Sequence, residues 1–204
     1  MNDDPMERKL NERLGNLTIW FSVLLIGALI VAFILEPPPI SLGVLGDVPA
    51  FSMVDSTGKK FGNDDLKGKV WVADFMYVHC TTQCPLMTHA MEKVQEHWKG
   101  KGVHFVSFTM DPSDTPQELA KYAKDYGADP STWSFLTGKS EDVTRLAKNG
   151  FKLAASQENS DFIHSIRFTL VDKKGRIRGY YNSDDEDSLR KLNKDLWVLL
   201  AERT

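Results

Sequence analysis

An uncharged apolar run from Leu17 to Leu35 sets one part of this 204-residue chain apart from the rest. The run is roughly 19 residues long, and at about 1.5 Å of rise per residue a helix of that length spans roughly 28 Å, close to the thickness of a bilayer core. A cleaved signal peptide is the alternative, but its apolar region is usually about 7–15 residues long and ends in small residues. This run ends in Phe33, Ile34 and Leu35. We therefore expect an uncleaved transmembrane anchor at residues 17–35.

The basic residues predict how this anchor is oriented. Arg8, Lys9 and Arg13 precede the run, and the next basic residue is Lys59. Because basic residues stay on the cytoplasmic side, residues 1–16 are expected in the cytoplasm and the rest of the chain outside it. The simplest interpretation is a bacterial inner-membrane protein with a periplasmic domain. The formal net charge of -3 gives no reason to expect a nucleic-acid partner.

The remainder of the chain is expected to form one domain. A stiff proline-rich spacer is predicted at residues 36–46 and the domain at residues 47–204. Thr115 is expected to cap a helix that opens with Pro116, residues 172–175 are expected to form the turn of a hairpin, and residues 188–202 are expected to form the last helix. From the apolar run that begins at Val70, the hydrophobic periodicity predicts the order β–α–β–α–β–α–β–β–α. This order is that of an α/β thioredoxin-like domain, with a mixed sheet flanked by helices.

The two cysteines of the chain, Cys80 and Cys84, lie between an apolar β-type run and a helix-like stretch that opens with Pro85. At such a junction the backbone N–H groups and the helix dipole favour thiolate over thiol. Two thiolates can exchange disulfides or hold a soft metal such as Cu(I). A purely structural disulfide is the simplest alternative. The loop that it closes would be very small, however, so its entropic stabilisation of the fold would be low.

Four segments carry a resemblance to a known family. They run from Phe75 to Pro85, from Thr109 to Pro116, over His164-Ser165, and from Asp172 to Gly175. Together with the single N-terminal anchor they resemble the Sco/SenC family of membrane-anchored copper-binding proteins. The resemblance implies a thioredoxin-like fold that binds one copper ion, Cu(I) or Cu(II), through Cys80, Cys84 and His164. It also implies that the protein delivers copper to the dinuclear copper centre of cytochrome c oxidase.

Other polar residues near these segments have simpler interpretations. His79 adjoins Cys80, but adjacent side chains at a strand end point to opposite faces, so it is not expected to be a ligand. Asp111 and Asp114 are expected to be turn and capping residues. The helical spacing of Met87 and Met91 predicts core positions rather than a methionine copper site.

The leading hypothesis is therefore a copper metallochaperone rather than an enzyme. Its expected partners are the copper-binding subunit of cytochrome c oxidase, other copper chaperones or thiol reductases, and the membrane. The alternative is a thiol–disulfide oxidoreductase that uses Cys80 and Cys84 to reduce the cysteines of the oxidase subunit. Two further alternatives stay open: a peroxidase, because Thr81 and Cys84 fit a Thr-x-x-Cys motif, and zinc binding.

Overall fold

The computed structural model describes residues 20–27, 41–153 and 166–202. The chain divides into two compact units, Met1–Ile40 and Ser41–Thr204. In the first unit residues 20–27 are helical, and the remainder of the expected anchor at residues 17–35 lies outside the described residues. Within the described ranges, no helix has the length and apolar character needed to cross a membrane.

The second unit alternates strands and helices. Its strands are β1 (Gly46–Asp47), β2 (Ser52–Asp55), β3 (Lys60–Gly62), β4 (Val70–Met76), β5 (Val103–Thr109), β6 (Trp133–Thr137), β7 (Arg167–Val171) and β8 (Arg176–Asn182). Its helices are α1 (Asn63–Leu66), α2 (Gln83–Trp98), α3 (Pro116–Asp125), α4 (Ser140–Arg145), which continues into a π-helix (Leu146–Gly150), and α5 (Glu186–Ala201). From β4 onward this is the order that the hydrophobic periodicity predicts.

The described strands form one sheet in the order β1-β8-β7-β4-β5-β6-β2-β3. Strand β4 pairs in parallel with β5 and antiparallel with β7, and β5 pairs in parallel with β6. The remaining pairs, β1–β8, β7–β8, β2–β6 and β2–β3, are antiparallel. The sheet is therefore mixed, as expected for a thioredoxin-like domain.

Strand β4 is buried along its whole length, and its side chains alternate between two cores. Val70, Val72 and Met76 face a core built with α2, α3 and α5, whereas Trp71 and Phe75 face a core built with α4 and the π-helix. Helices therefore cover both faces of the sheet. This arrangement explains why β4 is a nearly continuous apolar run rather than an alternating one.

Two helices begin earlier than the sequence predicts. Helix α5 begins at Glu186 rather than Ser188, since the Asp185 carboxylate accepts the N–H of Asp187 at 3.0 Å and caps the helix earlier. Helix α2 begins at Gln83 rather than Pro85. The expected Thr115 cap of α3 is confirmed, with Pro116 in its first turn.

Residues 41–46, which the sequence analysis assigns to the spacer, contact the domain. Strand β1 pairs with β8, and the buried Arg178 guanidinium donates from Nε to the carbonyls of Leu42 and Gly43 at 3.1 and 3.2 Å. The same guanidinium forms ion pairs with Asp172 and Glu202, each at 2.7 Å. The start and the end of the second unit are thus fastened to each other through one side chain.

Asp74 is a buried carboxyl in the middle of β4, on the face that packs against α2. Burial raises the pKa of Asp74 to about 7, and the Ser107 hydroxyl on β5 offsets this in part. The folded protein therefore holds the Asp74 proton more tightly than the unfolded chain does. The stabilising effect of that proton is fully present below the ordinary pKa of 3.8 and is lost as the pH rises through about 7.

The Asp74→Asn variant should therefore gain stability relative to the wild type as the pH is raised from about 4 to about 8, because the amide carries no charge. The gain should not exceed about 1.4 kcal/mol per pH unit. Urea unfolding of both proteins across this range measures it. A stability difference that does not change with pH would show that Asp74 keeps the same protonation in the folded and unfolded states.

Candidate functional site

Both cysteines lie at the carboxyl end of β4. Cys80 is in the loop that connects β4 to α2 and is partly exposed, whereas Cys84 lies in the first turn of α2 and is only 5% exposed. Both are free thiols. The central strand and the helix that follows it therefore bring the predicted pair together at one end of the sheet.

The sulfur of Cys80 lies within a set of donors from the helix start. The backbone N–H of Cys84 donates to Cys80 Sγ at 3.5 Å, and the Thr82 hydroxyl lies 3.8 Å from the same sulfur. The loop itself is closed by the N–H of Cys80, which donates to the Tyr77 carbonyl at 3.4 Å. This geometry is the one expected from a thiol at a helix N-terminus.

The two thiols consequently differ in acidity. Partial burial alone would raise the pKa of Cys80, but hydrogen bonds from the backbone of Thr82 and Cys84 outweigh it and lower the pKa to about 7. Deeper burial raises the pKa of Cys84 to about 12, and its hydrogen bond with Cys80 acts in the same direction. Near neutral pH the pair therefore combines a partly ionised, reactive Cys80 with a protonated Cys84.

Tyr77 is a neighbour of the pair that sequence reasoning missed. Burial raises its pKa, and the charges of Cys84, Asp111 and Cys80 add to that effect. The tyrosine hydroxyl therefore stays protonated throughout the physiological range. Its position in the same loop as Cys80 is the sequence signal that could have identified it.

His79 lies beside the start of α3. Its Nε2 lies 3.6 Å from Glu118 Oε1 and 3.9 Å from Asp114 Oδ1, and its side chain is 68% exposed. These distances place the His79 imidazole beside two acidic side chains, and its exclusion from the ligand set stays a prediction. Asp111 accepts the N–H and the hydroxyl of Ser113 at 2.8 and 2.7 Å, so its role as a turn residue is confirmed.

His164, the third predicted ligand, lies outside the described residues. Within the described parts of the chain, no three His, Cys, Asp or Glu side chains are grouped so that they could hold a metal ion. The core positions predicted for Met87 and Met91 are confirmed, since both are buried. His89 and His97 on α2 are exposed at the surface. On β5, His104 Nε2 lies 3.3 Å from Lys69 Nζ.

The fold and the site define a thioredoxin-like protein that carries a free dithiol between its central strand and the helix that follows. The SCO1/SenC family model matches residues 47–196 of the chain. The chain belongs to this family.

Individual relatives agree with this assignment. The chain is 36% identical over 142 residues to the SCO1 protein homolog of Bacillus subtilis (strain 168), covering 67% of this chain and 74% of the relative. It resembles the structure of BsSco, described as having a disulfide switch and as a member of the Sco family of cytochrome c oxidase assembly proteins, with 30% identity and a TM-score of 0.69, covering 79% of this chain and 99% of the other. Copper-bound yeast Sco1 shares the fold, with 22% identity, a TM-score of 0.59, and coverage of 76% and 90%.

The acidity difference predicts selective alkylation of the reduced protein. Iodoacetamide should modify Cys80 with a half-maximal rate near pH 7, because that is where its thiolate forms. Cys84 should remain unmodified over the same range, because it is buried and its pKa is raised to about 12. Peptide mass spectrometry after timed quenching distinguishes the two sites.

The Cys80→Ser variant serves as the control, since it should take up almost no label near neutral pH. Equal labelling of Cys80 and Cys84 at pH 7 would contradict the assignment of Cys80 as the reactive thiolate.

Proposed function

We propose that this protein is a copper metallochaperone that binds one copper ion through Cys80, Cys84 and His164 and delivers it to the copper centre of cytochrome c oxidase. The observation that carries the proposal is the pair of free thiols at the end of β4, joined by the contact between the Cys84 N–H and Cys80 Sγ. Copper is here the cargo of the protein rather than a resident cofactor.

The donor set suits copper. Thiolate sulfur is a soft ligand that selects Cu(I), and an imidazole nitrogen extends the site to Cu(II). Because its pKa is lowered to about 7, Cys80 is partly deprotonated near neutral pH and is the more readily available sulfur ligand. Coordination then displaces the proton of Cys84, since a coordinating thiol is deprotonated outright.

The sheet register supports His164 as the third ligand. Strand β7 runs antiparallel to β4 with Ala73 opposite Thr169, so the first residue of β7 lies beside the carboxyl end of β4. His164 is three residues before that strand begins. At about 3.3 Å per residue, three residues span at most roughly 10 Å, so a ligand at position 164 would be within reach of the end of the sheet that carries the cysteines.

The anchor at residues 17–35 belongs to the same proposal. A single span with the basic residues on the cytoplasmic side would hold the copper-binding domain in the periplasm, next to a membrane-bound oxidase. The partner is then the copper-binding subunit of the oxidase. Other copper chaperones or thiol reductases would act before the transfer.

Thiol–disulfide exchange is the second candidate function. The structure gives it a specific basis, since a low-pKa thiol beside a high-pKa thiol is the arrangement of an attacking and a resolving cysteine. In this function Cys80 attacks a disulfide of the oxidase subunit, and Cys84 releases the mixed disulfide. The peroxidase alternative is less favoured, because its motif would use Cys84, whose thiol is buried and has a raised pKa.

Substitution of the ligands tests the copper site. Cys80→Ser and Cys84→Ser should each weaken Cu(I) binding by more than the roughly 10–100-fold that is typical of outer-shell changes, because each removes a thiolate. His164→Ala should keep some Cu(I), which two thiolates can bind linearly, but should lose Cu(II). Chelator competition measures Cu(I), and electron paramagnetic resonance measures Cu(II). Identical Cu(II) spectra in the wild type and His164→Ala would remove His164 from the ligand set.

A second experiment separates the two functions in cells. If the protein delivers copper, His164→Ala should fail to support oxidase copper assembly while its disulfide-exchange rate stays near that of the wild type. If it acts as a reductase, assembly should instead follow the exchange rate and survive the loss of His164. Full oxidase activity in a His164→Ala strain without added copper would contradict the chaperone function.

A further inference from the structure

The carboxyl group of Asp114 is fully buried beside the loop that carries Cys80. From the sequence alone, Asp114 is expected only to be a turn or capping residue. A buried carboxylate is costly unless its oxygens are hydrogen-bonded, so its partners indicate what it does.

One oxygen of this carboxylate joins two separate segments. Asp114 Oδ2 accepts the backbone N–H of Val78 at 3.2 Å and also accepts the hydroxyl of Thr109, the last residue of β5. Val78 lies two residues before Cys80. The Thr109 hydroxyl in turn accepts the N–H of Asp111 at 3.2 Å, which fixes the loop to which Asp114 belongs.

The other oxygen contributes little to holding Asp114 in place. Asp114 Oδ1 has no hydrogen-bond partner among the described residues, and His79 Nε2 is 3.9 Å away, beyond hydrogen-bond distance. The contacts that this side chain makes are therefore directed at the end of β5 and at the Cys80 loop.

Apolar packing also contributes to the position of the loop, since Tyr77, Val78 and Cys80 lie against the core that includes α2. Inside the loop the structure shows a long backbone hydrogen bond, in which the Cys80 N–H donates to the Tyr77 carbonyl at 3.4 Å. The bond from Val78 to Asp114 therefore ties the loop to β5, whose own position is set by its pairing with β4.

We propose that Asp114 is a positioning residue for the copper site, which acts by holding the backbone of the Cys80 loop. This inference rests on the proposed function. By fixing Val78 to the end of β5, the carboxylate keeps the Cys80 sulfur within reach of the Cys84 N–H before copper arrives. A site whose ligands are already in place loses less ordering free energy on binding and so binds more tightly.

The test compares Asp114→Ala with Asp114→Asn in the full-length protein in detergent. Alanine removes the acceptor, so hydrogen exchange of the Val78 amide should become about tenfold faster in the metal-free protein. The Cu(I) dissociation constant, measured by chelator competition, should rise about tenfold. Asparagine keeps a carbonyl oxygen at the same position and should restore both quantities to within about threefold of the wild type.

Asp172→Ala is the matched control. Asp172 is also a buried carboxylate that accepts backbone N–H groups, but it follows β7 at the opposite end of β4 from the cysteines. The Asp172→Ala variant should have a lower unfolding temperature, but the hydrogen-exchange rate of the Val78 amide and the Cu(I) affinity should stay unchanged. An equal loss of Cu(I) affinity in Asp172→Ala would show that general destabilisation explains the effect, and would overturn the proposal.

Two further outcomes distinguish the proposal from the function on which it rests. Unchanged Val78 exchange or unchanged Cu(I) affinity in Asp114→Ala would overturn the positioning role while leaving the copper site intact. A wild-type protein that binds no Cu(I) would instead contradict the proposed function itself, and Val78 exchange would still report whether Asp114 holds the loop.

Discussion

The burial of β4 on both faces is the constraint on which the rest of the structure depends. Its side chains alternate between two cores, so a shift of one residue along β5 or β7 would exchange every side chain between those cores. The end of the strand is fixed as well, because the N–H of Met110 donates to the Met76 carbonyl at 2.9 Å. The Cys80 loop therefore starts from a point that the core determines.

Two thiols four residues apart acquire different chemistry from this single junction. Cys80 stays in the loop, where N–H groups of the helix start converge on its sulfur, whereas Cys84 has already entered the helix and packs into the core beside β4. The hydrogen bonds lower one pKa and the burial raises the other. The asymmetry follows from where α2 begins. A helix that began at Pro85, as the sequence predicts, would have left Cys84 outside its first turn.

Much of the fold could be predicted because its signals are local. The run at β4, the Thr115 cap of α3 and the Asp172–Gly175 turn each depend on residues adjacent in the chain, and all three are found where expected. The missed features depend on residues far apart in sequence. Arg178 reaches carbonyls more than a hundred positions away, and Asp114 reaches Val78 across 36 positions. No local pattern distinguishes a buried bridging carboxylate from a capping one.

On the proposed function, the acidity difference also affects the release of copper. Cys80 is already partly thiolate near neutral pH, so loading mainly displaces the proton of Cys84. The free energy needed to remove that proton reduces the net affinity for copper, and it is regained when a recipient ligand replaces Cys84 and the thiol is protonated again. On this proposal Cys84, whose thiol is harder to deprotonate, would be the sulfur that a recipient ligand replaces first, and Cys80 would be the last to leave the metal. The same high pKa keeps Cys84 as a thiol in the copper-free protein, and this slows closure of the disulfide that would block reloading.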